Sequence, residues 1–338
     1  MTNSVANKKF GVEIEFVDAN TRRVAEALIN AGINAHLEGY NHQTRRHWKV
    51  TTDATVTSGN YSLGTGEGFG GELVSPVLEG EAGIEELRRV LEALNSIPEV
   101  RVDRRCGVHV HLSWDGMTPS QIKNIAKRYA DFETQIDAWM PVSRRANNSR
   151  WCASTNSRAF GLSNVMNAVD SLSSVARAVG TRYTKVNLAA LNAHGTIEFR
   201  QHAGSTDFVK ISNWIRFLAA FCDASANIPQ GNAADVNFRR TRKVAYGEIR
   251  EQFANHGYDL RFGGRVYKLF NADGTQVDAK TLDELEAMYV AGTRRLNDVF
   301  VTWFNGHISA GAEVDSVFRM VPAAVQDFFN GRAAHLAA

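Results

Sequence analysis

Three short segments alternate apolar and polar residues with period two, and this pattern limits the possible folds more than any other feature of the chain. In Phe10-Gly11-Val12-Glu13-Ile14-Glu15-Phe16, the apolar Val12, Ile14 and Phe16 alternate with Glu13 and Glu15. In Gly107-Val108-His109-Val110-His111-Leu112-Ser113-Trp114, four apolar residues alternate with two histidines. In Thr196-Ile197-Glu198-Phe199-Arg200-Gln201-His202, Ile197 and Phe199 alternate with Glu198, Arg200 and His202. Successive side chains of a strand point to opposite faces, so each segment predicts a strand with one apolar and one polar face. Strands of this kind suit an antiparallel sheet with one face packed on helices and the other left open.

The intervening sequence supplies the helices. Asn20 or Thr21 caps a helix through residues 22–28 that Gly32 closes, and residues 84–94 carry apolar residues at helical spacing up to Pro98. Thr118-Pro119-Ser120-Gln121 combines a cap, a first-turn proline and a reciprocal glutamine, opening a helix that reaches about residue 139. A weaker helix is expected over 165–179, and an amphipathic one over 207–226 with Ile211, Trp214, Ile215, Leu218 and Phe221 on its buried side. Further strands are expected at 47–51, at 72–75 before Pro76, and at 185–191, the last joined to 196–202 as a hairpin. The polar segment 141–158 reads as a loop. After Pro229 the character changes: a charged helix near 240–255, a hairpin across Gly263-Gly264 and a helix capped by Thr281 are expected. The chain of 338 residues thus divides into a main domain, 1–228, and a mostly helical extension, 229–338.

Composition removes several function classes. Lysine and arginine total 38 against 36 acidic residues, so a net charge of +2 carries no nucleic-acid footprint. Cys106, Cys152 and Cys222 are odd in number and widely spaced, arguing against a disulfide framework or a CxxC zinc site and for a reducing, cytoplasmic setting. No apolar run is long enough to span a membrane, and the amino-terminal residues lack a signal-peptide pattern. GxxxxGK[ST] is absent. Gly66-Glu67-Gly68-Phe69-Gly70-Gly71 satisfies GxGxxG but enters a strand and not a helix, which removes the physical basis of a dinucleotide fingerprint. The glycine-rich segment 58–71 is therefore read either as a flexible connection or as a lid.

A pair of strand glutamates is, alone, more often a water-facing sheet surface than a site. Three polar faces that draw on Glu, His and Arg, with little Lys, Thr or Ser, weaken that reading. If the strands share one sheet, Glu13, Glu15, His109, His111, Glu198 and Arg200 line one surface. Carboxylate-rich ligation favours magnesium or manganese over zinc. A guanidinium among such groups suits phosphoryl oxygens. Ser143-Arg144-Arg145 lies in the polar loop, either as solvated surface or as an anion clamp.

Together with Gly71-Glu72-Leu73-Val74-Ser75-Pro76 and Ser143-Arg144-Arg145, the three strands occur in an order that resembles the amidoligase family, which is similar to glutamine synthetase and glutamate-cysteine ligase. The resemblance spans about residues 8–225. It implies an α+β domain with a glutamine synthetase-like curved antiparallel sheet backed by helices. It also implies an ATP- and Mg2+- (or Mn2+-) dependent carboxylate-amine ligase forming an amide through an acyl phosphate. Glu13, Glu15, Glu72 and Glu198 are then expected metal ligands with His109 or His111 completing one site, and Arg200 the group stabilising the transferred phosphoryl. Asp53 resembles a position that binds metal or the incoming amine, although Ala54 and Thr55 follow where serine is usual. Arg144 and Arg145 become candidate clamps for ATP or substrate. Val74 shares the face of Glu72 in a regular strand, so a local bulge is expected there. The clustered carboxylates are expected to have raised pKa values in the free protein. Partners are small-molecule or peptide acids and amines, and a homo-oligomer is compatible with the resemblance. A metal-dependent hydrolase without nucleotide, or a catalytically idle binding module on the same fold, remains an alternative.

Overall fold

A computed structural model describes residues 5–138 and 140–227 together with the backbone of three strands further along the chain. The first strand, β1 (Lys9–Asn20), ends where the Asn20 side chain accepts from the backbone N–H groups of Arg22 and Arg23 and so starts α1 (Thr21–Asn30). Gly32, at φ +75°, then turns the chain out of that helix. Two short strands, β2 (Ala35–Leu37) and β3 (Trp48–Thr51), precede β4 (Phe69–Val74) and β5 (Leu78–Glu79). Helix α2 (Gly80–Asn95) leads to β6 (Gly107–Ser113). The reciprocal cap at Thr118 and Gln121 forms as expected and opens α3 (Pro119–Asp131). The expected single helix breaks at Phe132, and α4 (Glu133–Ala138) follows as a separate turn-and-a-half.

Residues Val142–Arg144 form one 3-10 turn, and the weaker helical stretch divides into α5 (Leu162–Asn167) and α6 (Leu172–Ala178). The strand expected over 185–191 shortens to β7 (Val186–Asn187), because the short helix α7 (Ala190–His194) takes up its second half. Gly195 caps α7 at φ +66° and delivers the chain into β8 (Thr196–Ala203), which does pair antiparallel with β7. Asp207 caps the long α8 (Phe208–Ala226).

These strands form one sheet in the order β2-β3-β4-β1-β6-β8-β7, with β5 also paired to β1. All its pairings are antiparallel except β2 with β3, which is parallel. A wholly antiparallel sheet is therefore corrected at that edge. The apolar alternation does what periodicity predicts: Phe10, Val12, Ile14, Phe16, Val108, Val110, Leu112, Ile197 and Phe199 are all buried in one core. Opposite them lie Ile122, Ile125 and Tyr129 of α3 and Trp214, Ile215, Leu218 and Phe221 of α8. Tyr129 meets the Phe199 and Phe221 rings at centroid distances of 5.5 and 5.7 Å.

Between residues 229 and 338 the described segments are β9 (Asp259–Phe262), β10 (Tyr267–Phe270) and β11 (Gln276–Lys280), an antiparallel sheet in the order β11-β10-β9. The pairing of β9 with β10 gives the hairpin expected across Gly263-Gly264. The helices expected near 240–255 and after Thr281 lie outside the described residues.

Candidate functional site

The register of the four central strands assembles the polar faces. Glu15 lies opposite Glu72 on β4 and Glu13 opposite His109 on β6, while His111 lies opposite Glu198 on β8. Paired residues share a face, so six groups scattered over almost two hundred residues of sequence meet on the side away from the helices. Glu15, His109, His111 and Glu198 are buried there, while Glu13 and Glu72 stay partly open to a cavity of about 640 Å³.

The ring of His109 is central. Its Nδ1 lies 2.8 Å from Glu13 Oε2 and 3.8 Å from Glu198 Oε1, and its Nε2 lies 3.8 Å from Glu15 Oε1. His111 Nδ1 is 2.9 Å from Thr196 Oγ1. Its Nε2 is 3.3 Å from Glu13 Oε1 and 3.9 Å from Glu198 Oε1, yet has no hydrogen-bond partner. An imidazole oriented through one nitrogen, with the other left aimed at carboxylates, is the arrangement that metal-ligating histidines adopt. Arg200 Nη1 donates to Glu198 Oε1 at 2.5 Å, and Asn187 Nδ2 holds the other Glu198 oxygen at 2.5 Å. Gly107 N–H donates to Glu15 Oε2 at 2.6 Å.

Charge is unevenly shared in this cluster. Burial pushes the Glu72 carboxyl up, and Glu13, Glu15 and Asp53 push it further, well above the usual range. Burial also raises Glu15, against opposition from His109 and Arg144. Burial acts on Glu13 in the same sense, but the His109 hydrogen bond and the nearby His111 imidazole overcome it and hold this carboxyl well below its ordinary value. Glu198 is likewise lowered, because Arg200 and His111 outweigh its burial. A uniform rise across the four glutamates is thus corrected: Glu72 and Glu15 rise, while Glu13 and Glu198, paired with cationic groups, fall.

The donor set fits a hard divalent cation. Glu13, His109 and Glu198 offer one set of ligand atoms within 4.8 Å of one another, and Glu15, Glu72 and His109 offer a second. The His111 Nε2, without a hydrogen-bond partner among the described residues, and the raised Glu72 carboxyl mark where positive charge is missing.

The structure also separates the sequence-derived candidates. Arg144 is buried at the edge of the cluster, its guanidinium donating to the carbonyls of Cys106 and Arg105. A Cβ on Gly107 would lie 3.2 Å from both terminal nitrogens of Arg144 and 3.0 Å from His109 Nε2, so a side chain here would have to displace these groups. Arg145 is buried and does not line the cavity that Arg144 lines, and its Nε donates to the Met140 carbonyl. Asp53 lines the cavity with Oδ1 held by the Thr55 N–H and hydroxyl, both at 2.6 Å. Val74 lines it beside Glu72 in regular pairing, and the expected bulge at Glu72 does not form.

His202 is a further correction. The register between β6 and β8 slips between Val108 and Val110, so a bulge turns His202 to the face of Val108, where its ring packs at 5.5 Å on Trp214. Burial there lowers its pKa to about 4. Of the glycine-rich segment 58–71, Leu63 alone lines the cavity. The roof is instead built by residues 40–44, tied to that segment by Tyr40 N–H donating to the Leu63 carbonyl at 2.7 Å. Lys49 escaped the sequence reading. It is buried on the site face of β3, and its Nζ donates to the Asn41 carbonyl at 2.7 Å beneath the roof. Burial lowers its pKa, against the pull of Glu72 and Glu13. A single lysine in Trp48-Lys49-Val50-Thr51 carries no signal of this; its spacing from Thr51 on the same face was the only clue. Burial pushes the Cys106 thiol up to about 12, which removes it as a nucleophile.

Residues 6–222 match the family described as "Putative amidoligase enzyme". The chain belongs to the amidoligase family. A solved structure, the complex between prokaryotic ubiquitin-like protein Pup and its ligase PafA, is similar at 12% identity over 99% of this amidoligase and 66% of the matched chain. With a TM-score of 0.28, that likeness carries no argument about fold or substrate. No curated protein matches. Among the described residues of the amidoligase, no helix is long and apolar enough to cross a membrane.

Proposed function

We propose that this amidoligase is an ATP- and magnesium-dependent carboxylate-amine ligase that joins its substrates through an acyl phosphate on a glutamine synthetase-like sheet. The observation that supports the reading is the single cluster in which Glu13, Glu15, Glu72 and Glu198 meet two histidines with Arg200 and Arg144 at the edge. The four glutamates and His109, with His111 beside them, would hold magnesium or manganese, which when bound neutralises the clustered charge and that of the ATP phosphates. Arg200 presents a guanidinium for phosphoryl oxygens and rests on Glu198 in the free protein. Arg144 has its guanidinium fixed by two carbonyls, which keeps a positive charge aimed at the cavity for a phosphate or a substrate carboxylate. Asp53 offers a carboxylate for an incoming ammonium group at the same wall as Glu72. The roof over residues 40–44 limits the access of water to an activated acid.

Phosphate release from ATP, screened over a panel of carboxylates and amines, tests the proposal. Release is expected only when both substrate types are present. Glu13→Gln and Glu15→Gln are each expected to lower it by about 100-fold or more with the fold retained, since each removes charge that acts on the transferred group. Retained turnover in both variants would sink the proposed site. Calorimetry with magnesium and a non-hydrolysable ATP analogue separates the competing readings: no nucleotide binding favours a hydrolase, and binding without amine-dependent release favours a binding module.

A further inference from the structure

The cavity wall holds an arginine that the cluster does not use. Arg182 precedes β7, at one edge of the sheet, and reaches the cavity beside Tyr183 and Trp151. Its Nη2 donates to the Tyr183 hydroxyl at 3.2 Å, its guanidinium lies 5.0 Å from the Tyr183 ring centroid, and Trp151 meets that ring at 5.0 Å. It also interacts with the hydroxyl of Tyr40, which follows β2 at the opposite edge of the sheet, and both residues line the cavity that holds the carboxylate cluster. Among the described residues these partners are neutral. Arg105 and Arg200, by contrast, are engaged by Asp103 at 2.8 Å and Glu198 at 2.5 Å.

Two carboxylates act on the same phenol with the opposite sign. Asp53 and Glu72 both act on the Tyr40 hydroxyl, adding to the burial that pushes it up, while Arg182 opposes them. Asp53 accepts from Thr55 and has no cationic partner among the described residues. The lining of this one cavity therefore offers a carboxylate without a cation and a guanidinium without an anion, both acting on one phenol. A polyamine would use the first and leave the second idle. A guanidinium held by hydroxyl and aromatic neighbours is instead suited to a carboxylate, which it binds through two parallel N–H donors.

We propose that the amine substrate is an amino acid, whose carboxylate is held by Arg182 while its amino group faces Asp53. This rests on the ligase reading above and narrows its substrate class. A binding experiment that needs no turnover tests it. The full-length protein, with magnesium and a non-hydrolysable ATP analogue, is titrated calorimetrically with the twenty standard amino acids and with decarboxylated partners such as cadaverine for lysine and ethylamine for alanine. At least one amino acid is expected to bind about 10-fold or more tightly than its decarboxylated partner. Arg182→Met should erase that preference, and Arg182→Lys should restore part of it, with affinity for the ATP analogue unchanged in both. Absence of binding by every amino acid, equal binding of the decarboxylated partners, or an effect of Arg182→Met on the ATP analogue alone overturns the proposal. Amino-acid binding that requires Arg182 in a protein that never turns over ATP would leave this site standing and remove the ligase reading instead.

Discussion

Burial and the neighbouring Glu13, Glu15 and Asp53 raise the Glu72 carboxyl well above its ordinary value, and the sign of that shift dictates how this residue should make the protein respond to pH. A carboxyl whose pKa is raised on folding holds its proton more tightly in the folded chain than in the unfolded one. Between the ordinary glutamate value of about 4.3 and the raised value, the folded state binds more protons, and stability falls as pH rises. Glu13 and Glu198 act in the opposite sense: their contribution is present above the ordinary value and is lost as pH falls towards their lowered ones. Metal-free Glu72→Gln is therefore expected to gain melting temperature relative to the wild type as pH rises from about 4.3 towards neutrality. Magnesium should reverse that order at neutral pH, because the wild type alone keeps the ligand. Melting curves of the two proteins at stepped pH, with and without magnesium, decide it: parallel curves throughout would remove Glu72 as the source. Gly107 gives a second residue-level outcome. Its backbone is not in the left-handed region, so Gly107→Ala leaves strand geometry available while pressing a Cβ against His109 and Arg144. A fall in magnesium affinity of about 10-fold or more, with a native circular-dichroism spectrum, is expected from disturbing groups that orient a metal site.

At the scale of elements, the loop that carries Arg144 is fixed by charges behind the sheet. Lys185 is fully buried with its Nζ 2.9 Å from Glu133 Oε1 and 2.5 Å from Asp137 Oδ1. Glu133 accepts from the Thr155 N–H at 2.7 Å, Asp137 from the Ala146 N–H at 2.8 Å, and Arg200 N–H donates to the Lys185 carbonyl at 2.8 Å. One lysine thus ties α4 to the loop on one side and to the Arg200 strand on the other. Lys185→Met leaves two carboxylates buried without their cation and is expected to cost about 3–5 kcal/mol in urea unfolding, with Asp137→Asn recovering part of the loss. A cost near zero would mean that the network is replaceable by packing. Such ties explain what was legible in the sequence. Period-two alternation located β1, β6 and β8 and their inward residues, because side-chain direction in a strand is a local property. The capping signals at Asn20 and Thr118 were local too. His202 was misplaced because its bulge arises from the register between β6 and β8, and Arg145 because a loop's side-chain directions depend on its anchors at Asp137 and Met140. Lys49 and Arg182 became visible only when sheet order brought distant edges around one cavity.

For the whole molecule, the placement of the layers says where a self-sufficient unit should end. The proposed site residues run from Glu13 to Arg200, and the family match ends at residue 222. Among the described residues the last element that covers the sheet is α8, which ends at Ala226 and contributes the stacked Trp214 and Phe217 rings to the core. With α3 it packs over the buried apolar face of β1, β6 and β8, so cutting the chain within it would expose that face, whereas cutting after it keeps every described helix of that layer. A chain of residues 1–228 is accordingly expected to unfold in one cooperative transition and to show the same magnesium-dependent rise in melting temperature as the full-length protein. Ending it at residue 206 should abolish both, since the core would lose the Trp214, Phe217, Leu218 and Phe221 side chains together. Broad, non-cooperative melting of 1–228, or a magnesium response confined to the full-length chain, would show that residues 229–338 complete the sheet domain, and the boundary would have to be withdrawn.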